Sequence, residues 1–423
     1  MKNIIFLAFL FSLLLQSCGN KRIPNSLITG STQYLYNPSI NRLHPQYFVS
    51  NTSSGNSRLY VKIYLSDIRF INIDTINQRL KGKIKVKYEI YSPENLDLLV
   101  DSASNIYDVI KRKGQNNIIT YINIKANLLN EYYLKVTTTD IYKGISVYDY
   151  IFVSNENSSK QNFLVSLQNN NYPYFKNYFN KSYKLSIKTN NSSKDSIFIR
   201  YYKRKIPIPY PPASILKRDS LLGASDSTWS VPAKSILHFN EDKLGLYLFQ
   251  TDTTDIKALS LINKSHNYPF IKFPSEMLFP LQYIAKTSEF NKMYNSTNIK
   301  LAIDRFWLSC GNNPQKSREL IKIYYNRTLY ANVHFTSFTN GWKTDRGMIY
   351  LIFGPPKAVK KTAKLEEWIY SDRLNEKLLI FKFNKIDNIL SNNDYVLNRH
   401  DDFRSFWNAA IKSWREGKVY SVF

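Results

Sequence analysis

The sequence predicts a multidomain chain: two all-β units of immunoglobulin-like type, followed by an α+β C-terminal domain. Three observations carry this. From about residue 35 to 155 the hydrophobic period is two, as in strands with one wet face. The same period returns between about 160 and 262. After residue 270 apolar residues recur at helical spacing, and strand-like runs reappear beyond residue 348.

The N-terminus reads as a targeting segment, residues 1–17, set apart from the fold. Lys2 supplies a positive charge, and Ile4 to Leu15 is an apolar run too short to remain as a membrane span. The following Leu15-Gln16-Ser17-Cys18-Gly19 resembles a bacterial lipobox, with Gln16 departing from the usual small or aliphatic residue. The resemblance implies cleavage before Cys18 and acylation of its thiol. Gly19 after the cysteine, rather than aspartate, implies the outer membrane. The basic Asn20-Lys21-Arg22 that follows, in place of acidic residues, implies the periplasmic face. Residues 18–34 are polar, with Pro24 and Gly30, and read as a tether between lipid and fold.

Beyond the signal no apolar run approaches twenty residues, so no further span is expected. With Cys18 acylated, Cys310 is left alone and no internal disulfide can form. Cys310 follows an apolar helical pattern and reads as a small buried hydrophobe rather than a reactive thiol. Removing Lys2 with the signal leaves 57 basic side chains against 32 acidic ones, a charge of +25. Such a surface is drawn to anionic headgroups, acidic glycans and acidic proteins. An envelope compartment excludes nucleic acid as a partner.

In residues 35–155, Lys83 to Ile90 alternates and places Ile84, Val86, Tyr88 and Ile90 on one face. Further strands are expected at Leu59–Leu65, Ile118–Ile124, Tyr132–Thr138 and Ile145–Val153, separated by turn-rich stretches. In residues 160–262, strands are expected at Tyr183–Lys188, Ile197–Tyr202 and Leu244–Phe249. Between the last two lies Ile206-Pro207-Ile208-Pro209-Tyr210-Pro211-Pro212, whose prolines forbid a central strand. It reads either as an extended edge or surface segment or as a polyproline stretch for a partner.

In residues 270–423, Leu281, Ile284, Ala285 and Ser288 recur at helical spacing, with Pro280 suited to the first turn. Ile299, Ala302, Ile303 and Phe306 repeat the pattern, and a third helix is expected from Gln315 to about Val333. Met348–Phe353, Glu366–Tyr370 and Lys377–Phe383 read as strands. A last helix is expected from Asp402 to Arg415, capped by Asp401 or Asp402.

The most distinctive stretch is Gly341-Trp342-Lys343-Thr344-Asp345-Arg346-Gly347. Upstream stand Ala302 to Trp307 and Tyr324 to Phe335. Downstream stand Met348 to Pro356, Glu367 to Tyr370 and Phe381 to Phe383. Order and spacing over about residues 275–385 resemble the GWxTD domain family, exported bacterial proteins many of which come from Bacteroidota. The resemblance implies an exported α+β domain and no defined activity. Read physically, the signature is a rigid turn entering a strand. Gly341 and Gly347 permit unusual backbone shapes. Thr344 and Asp345 bond nearby N–H groups. Trp342 packs on the helices. Arg346 pairs with Asp345 or with Asp304. Gly354-Pro355-Pro356 then stops the strand. The alternative is a binding site built on Gly341, Trp342, Thr344, Asp345, Arg346 and Gly347.

His44, His238, His266, His334 and His400 are far apart and follow no ligand spacing, so neither metal nor cofactor is expected. No nucleophile elbow, phosphate-binding loop or zinc motif occurs. Glu366 and Glu367 would point to opposite faces of a strand. Trp307, Trp368, Trp407 and Trp414 read as core. The expected role is therefore non-catalytic: an outer-membrane lipoprotein serving as scaffold or accessory subunit of a secretion or assembly complex. In that picture the β units space the C-terminal domain from the bilayer, and the partners are the membrane and an envelope protein. The alternatives are a module binding anionic glycan or lipopolysaccharide, and a hydrolase in which Asp345, Arg346 and Asp304 converge.

Overall fold

The computed structural model describes residues 33, 35–37, 43–53, 56–74, 79–125, 130–156, 159–190, 194–203, 205–216, 218, 223–233, 236–254, 257–371 and 378–420. The expected signal segment, Cys18 and the expected tether up to residue 32 lie outside them. The chain is mostly β-sheet, with six α-helices toward the C-terminus among the described residues.

The first β region holds two antiparallel sheets. One is β1 (Gln46–Ser53), β2 (Asn56–Tyr64) and β6 (Asn117–Lys125), in the order β1-β2-β6. The other contains β3 (Ile71–Asp74), β4 (Arg79–Tyr91), β5 (Leu99–Ile110), β7 (Glu131–Asp140) and β8 (Ile145–Ser154). Here β3 and β7 share one side of β4, β5 takes the other, and β8 closes the far edge. The alternation in β4 is realised: Ile84, Val86, Tyr88 and Ile90 are all buried. They share one core with Leu59, Val61 and Ile63 of β2, so the two sheets face each other.

The second β region repeats the plan. A three-stranded sheet, β14 (Leu237–Phe239), β11 (Leu185–Thr189) and β9 (Phe163–Leu167), faces a five-stranded one. The latter runs β10 (Tyr178–Phe179), β16 (Leu259–Asn263), β15 (Gly245–Gln250), β12 (Ser196–Tyr202) and β13 (Ser227–Pro232). Val165, Ile187, Ile199, Tyr247 and Phe249 fill the space between them. The proline-rich stretch forms no strand and lies on the chain's own C-terminal domain. The Ile206 carbonyl accepts from Lys343 Nζ at 3.2 Å, and the Tyr210 carbonyl from Arg399 Nη2 at 2.9 Å. Ile208 packs on the C-terminal core.

That domain begins with α1 (Pro274–Leu278), a 3-10 turn (Phe279–Tyr283) and α2 (Thr287–Tyr294). The single helix expected around Leu281 is therefore broken. Pro280 sits in the 3-10 turn, and Lys286 takes an extended conformation that restarts the chain. Then follow α3 (Ile299–Gly311) and α4 (Pro314–Phe335). Asn298 caps α3 by accepting from Leu301 N–H, Asn313 caps α4 by accepting from Lys316 N–H, and Pro314 fits the first turn. After α5 (Asp345–Phe353), β17 (Ala358–Lys361), β18 (Leu365–Ser371), β19 (Leu378–Lys385) and β20 (Tyr395–Leu397) form one antiparallel sheet in that order. The last helix is α6 (Phe403–Arg415). Cys310, Trp307, Trp368 and Trp414 are buried in this core, and Trp407 lies at its edge.

Two expectations are corrected here. Met348–Phe353 is helix, not strand. The run is apolar throughout, and every one of its residues is buried, between α4, the sheet and α6. A segment surrounded on all sides shows no polar face from which a period could be read. Neither does aspartate cap α6. Asp402 stands at the N-cap with helical backbone and makes no cap bond, while Asp401 pairs with Arg404.

The N-terminal approach to the fold is also clear. Gln33 and Val359 of β17 exchange two backbone hydrogen bonds, at 2.8 and 2.7 Å. The Gln33 side-chain amide donates to the Tyr148 carbonyl at 3.2 Å and accepts from its N–H at 2.9 Å. Gln33, expected at the end of a loose tether, thus joins the outer edges of β8 and β17, covering groups that an edge strand otherwise leaves open. The chain meets the C-terminal domain at once. Among the described residues, Gln33 touches the C-terminal domain ahead of both β regions in the sequence.

Candidate functional site

The signature closes the end of α4. Gly341 and Gly347 are required by contact rather than by backbone angle. A Cβ on Gly341 would stand 1.9 Å from the Ala331 carbonyl oxygen, and one on Gly347 would stand 1.9 Å from the carbonyl oxygen of Gly341. The loop therefore lies directly on the helix, and α5 directly on the loop. Trp342 is buried, with the Tyr283 ring edge-on at 6.1 Å and the Tyr283 hydroxyl donating to the Trp342 carbonyl at 3.0 Å. The turn enters a helix instead of the expected strand. Thr344 is the N-cap of α5: its hydroxyl accepts from Gly347 N–H at 3.0 Å and donates to the Gly341 carbonyl at 2.8 Å. Gly354, at φ 86°, ends the helix, so the Gly-Pro-Pro stretch stops a helix and not a strand. Arg327 from α4 binds the Leu351 and Ile352 carbonyls there, placing a cation at the negative end of α5.

The signature's two charges part company. Asp345 does not pair with Arg346. It accepts from Leu397 N–H at 2.8 Å and takes a bidentate contact from Arg399, at 2.6 and 3.1 Å, so one carboxylate ties α5 to β20. Arg346 is 2% exposed and reaches Glu366 at 3.1 Å, not Asp304, which pairs with Lys300 on the surface. It also donates to Asn393 and lies 3.8 Å from the centroid of the Tyr395 ring.

Glu366, fully buried, is the centre of this cluster. Its Oε1 receives Arg346, the Lys361 ammonium at 3.0 Å and the Tyr36 hydroxyl at 3.1 Å, while Oε2 receives the Trp368 indole N–H at 3.2 Å. Burial alone would push its carboxyl up. Lys361 and Arg346 outweigh burial and hold it down at about 2. Burial works to neutralise the Lys361 ammonium, but Asp149, at 2.9 Å, and Glu366 hold it charged, well above the usual lysine value. Asp149 belongs to β8, so the cluster joins the first β region to the C-terminal domain. Beside it His334 contacts the Tyr36 ring at 5.2 Å. Burial, with His44 and Arg346 nearby, lowers its imidazole to about 3.

Of the six signature residues, all lie in one packed turn, but Asp345 and Arg346 serve different ties. Glu366, Lys361, Asp149 and Arg399 were not anticipated. A signal for Glu366 existed: Glu366, Trp368 and Tyr370 alternate along β18 and share the inward face, and a carboxylate in line with two core aromatics requires partners. Chemically, such a carboxylate stays ionised at neutral pH and is saturated with donors. An open groove of about 590 Å³ lies between Tyr283–Lys286 and α6, floored by Ile284, Trp407 and Ile411, and no signature residue lines it. Among the described residues no group of His, Cys, Asp or Glu is arranged to hold a metal, and no helix is long and apolar enough to cross a membrane.

A β-rich chain that ends in an α+β domain sealed by a Gly-Trp-x-Thr-Asp turn is the class this geometry defines. The family model of the GWxTD domain matches residues 245–416, from β15 to the end of α6, and the chain carries a GWxTD domain. No curated protein matches the chain. Among solved structures, red sea bream transglutaminase is similar at 8% identity and a TM-score of 0.19, over 53% of this chain and 31% of that one. This chain thus spans under a third of that protein's length.

Proposed function

We propose that this chain is a non-catalytic outer-membrane lipoprotein, acylated at Cys18 on the periplasmic face, that acts as a scaffold or accessory subunit of an envelope complex. One observation carries the reading: the signature's charges are spent on internal ties. Asp345 secures Leu397 and Arg399, and Arg346 secures Glu366 in a cluster reaching Asp149. The motif then works as a clamp that makes one body of the C-terminal domain and the first β region. That suits a protein whose task is to present surfaces. The facing sheets of each β region support reading both as immunoglobulin-like sandwiches. The saturation of Asp345 and the surface position of Asp304 weigh against a hydrolase. Binding of an anionic glycan or lipopolysaccharide is the second reading, favoured by the charge of +25 beyond the signal.

Co-purification through a C-terminal tag from detergent-solubilised membranes is expected to recover stoichiometric partners, and a fatty-acid probe is expected to label the chain. Repeated recovery of the chain alone counts against the scaffold. An unlabelled chain that stays membrane-bound with Cys18→Ser counts against the anchor.

A further inference from the structure

We infer that the surface formed by α1, the 3-10 turn and α2 is a second membrane contact that takes anionic phospholipid headgroups. Within twenty-two residues three large apolar side chains stand open: Phe273 is 54% exposed, Phe279 37% and Tyr294 55%. Phe279 and Tyr294 do not stand singly. The rings of Phe279, Phe290 and Tyr294 contact one another at 6.1 to 6.4 Å, forming one aromatic platform. Lys343 of the signature lies 5.9 Å from the Phe279 ring.

The charge around the platform is net positive: Lys272, Lys286, Lys292 and Lys343 stand against Glu276 and Glu289. Lys272, Lys286 and Lys292 are exposed and make no ion pair among the described residues. The two acids of the segment are already engaged. Glu276 accepts from Lys272 N–H, Phe273 N–H and the Ser265 hydroxyl, while Glu289 accepts from Lys286 N–H and binds Arg415 on both oxygens. Aromatic rings flanked by uncompensated lysines match the headgroup level of an anionic bilayer, where rings meet the apolar boundary and ammoniums meet phosphate.

Position agrees, and this step rests on the lipoprotein reading. Tyr36 packs on His334 and Phe335, in the last turn of α4. The signature loop closes on Ala331 one turn earlier and presents Lys343 to Phe279. The loop thus links the platform to the last turns of α4. The segment itself bonds further back, through Tyr324 to the Pro280 carbonyl and Tyr325 to the Met277 carbonyl. Tyr36, eighteen residues after Cys18, meets the end of the same helix. Lipid and platform would touch the same leaflet and fix the orientation of the domain upon it.

The test uses the chain beginning at Gly19, which lacks the acylated cysteine and keeps every described residue. Co-sedimentation with phosphatidylcholine vesicles, with and without phosphatidylglycerol, is expected to show binding only to the anionic vesicles, weakening with salt. Lys272→Ala with Lys292→Ala is expected to weaken it by about 25-fold, fivefold per lysine. Phe273→Ser with Tyr294→Ser should reduce it further, and because these side chains are exposed the thermal midpoint should not move. Absent binding, binding indifferent to phosphatidylglycerol, or binding unchanged in the lysine pair overturns the inference. So does a platform whose variants lose a stoichiometric protein partner while vesicle binding persists. Vesicle binding by a chain that a fatty-acid probe leaves unlabelled would sink the anchor and leave this contact standing.

Discussion

Glu366 shows what one buried atom is asked to do. Its Oε1 accepts from a guanidinium, an ammonium and a phenol at once. Glu366→Gln would leave Arg346 and Lys361 facing a neutral amide in the core. The expected loss is about 3–5 kcal/mol, read from urea midpoints at neutral pH. The acid limb follows from the sign of the shift. Held at about 2 in the fold against 4.5 unfolded, Glu366 contributes stability that is complete above pH 4.5 and is lost as pH falls toward 2. His334 acts earlier. Its imidazole titrates at 6.5 unfolded and about 3 in the fold, so the stability it lends is complete above pH 6.5 and declines below it, by up to about 1.4 kcal/mol per pH unit. In His334→Gln the decline should begin nearer pH 4.5. Urea midpoints that still fall between pH 6.5 and 4.5 in that variant would assign the effect to another group.

At the scale of elements, α5 depends on its cap. Thr344→Ala removes the acceptor for Gly347 N–H and is expected to lose about 1 kcal/mol, while Thr344→Ser should restore most of it. Equal stability in both variants would mean that packing alone holds the helix. How legible each element was depended on how it meets water. Strands with one wet face, such as β4 and β7, could be read from alternation, and α3 and α4 from their apolar stripes. Segments without contrast could not. Met348–Phe353 is dry on all sides and passed for a strand. β5 is wet through its middle, from Ser102 to Ile106, and left no stripe to read. In the site, the signature's unity was legible from its residue types. Its partners Glu366, Arg399 and Asp149 were not, because ion pairs across 20 to 212 residues leave no local period.

For the whole molecule, the question is what makes one body of separate sheets. Gln33 does part of it, lending its side-chain amide to β8 and its main chain to β17. Gln33→Ala is expected to lose about 1–2 kcal/mol and to speed hydrogen exchange at the Val359 amide well before global unfolding. Unchanged protection there would mean that the strap is incidental. Electrical bookkeeping at the same junction has a further consequence. Arg346 and Lys361 bring two positive charges and Glu366 only one negative; the fourth charge, Asp149, arrives from a strand more than 190 residues upstream. A fragment cut out at the start of the second half of the chain would therefore lose both the counter-charge and the cover of Lys361, and carry a surplus cation on a newly opened apolar face. It should precipitate or take up a small anion in Asp149's stead, and replacing Lys361 by methionine should relieve that need.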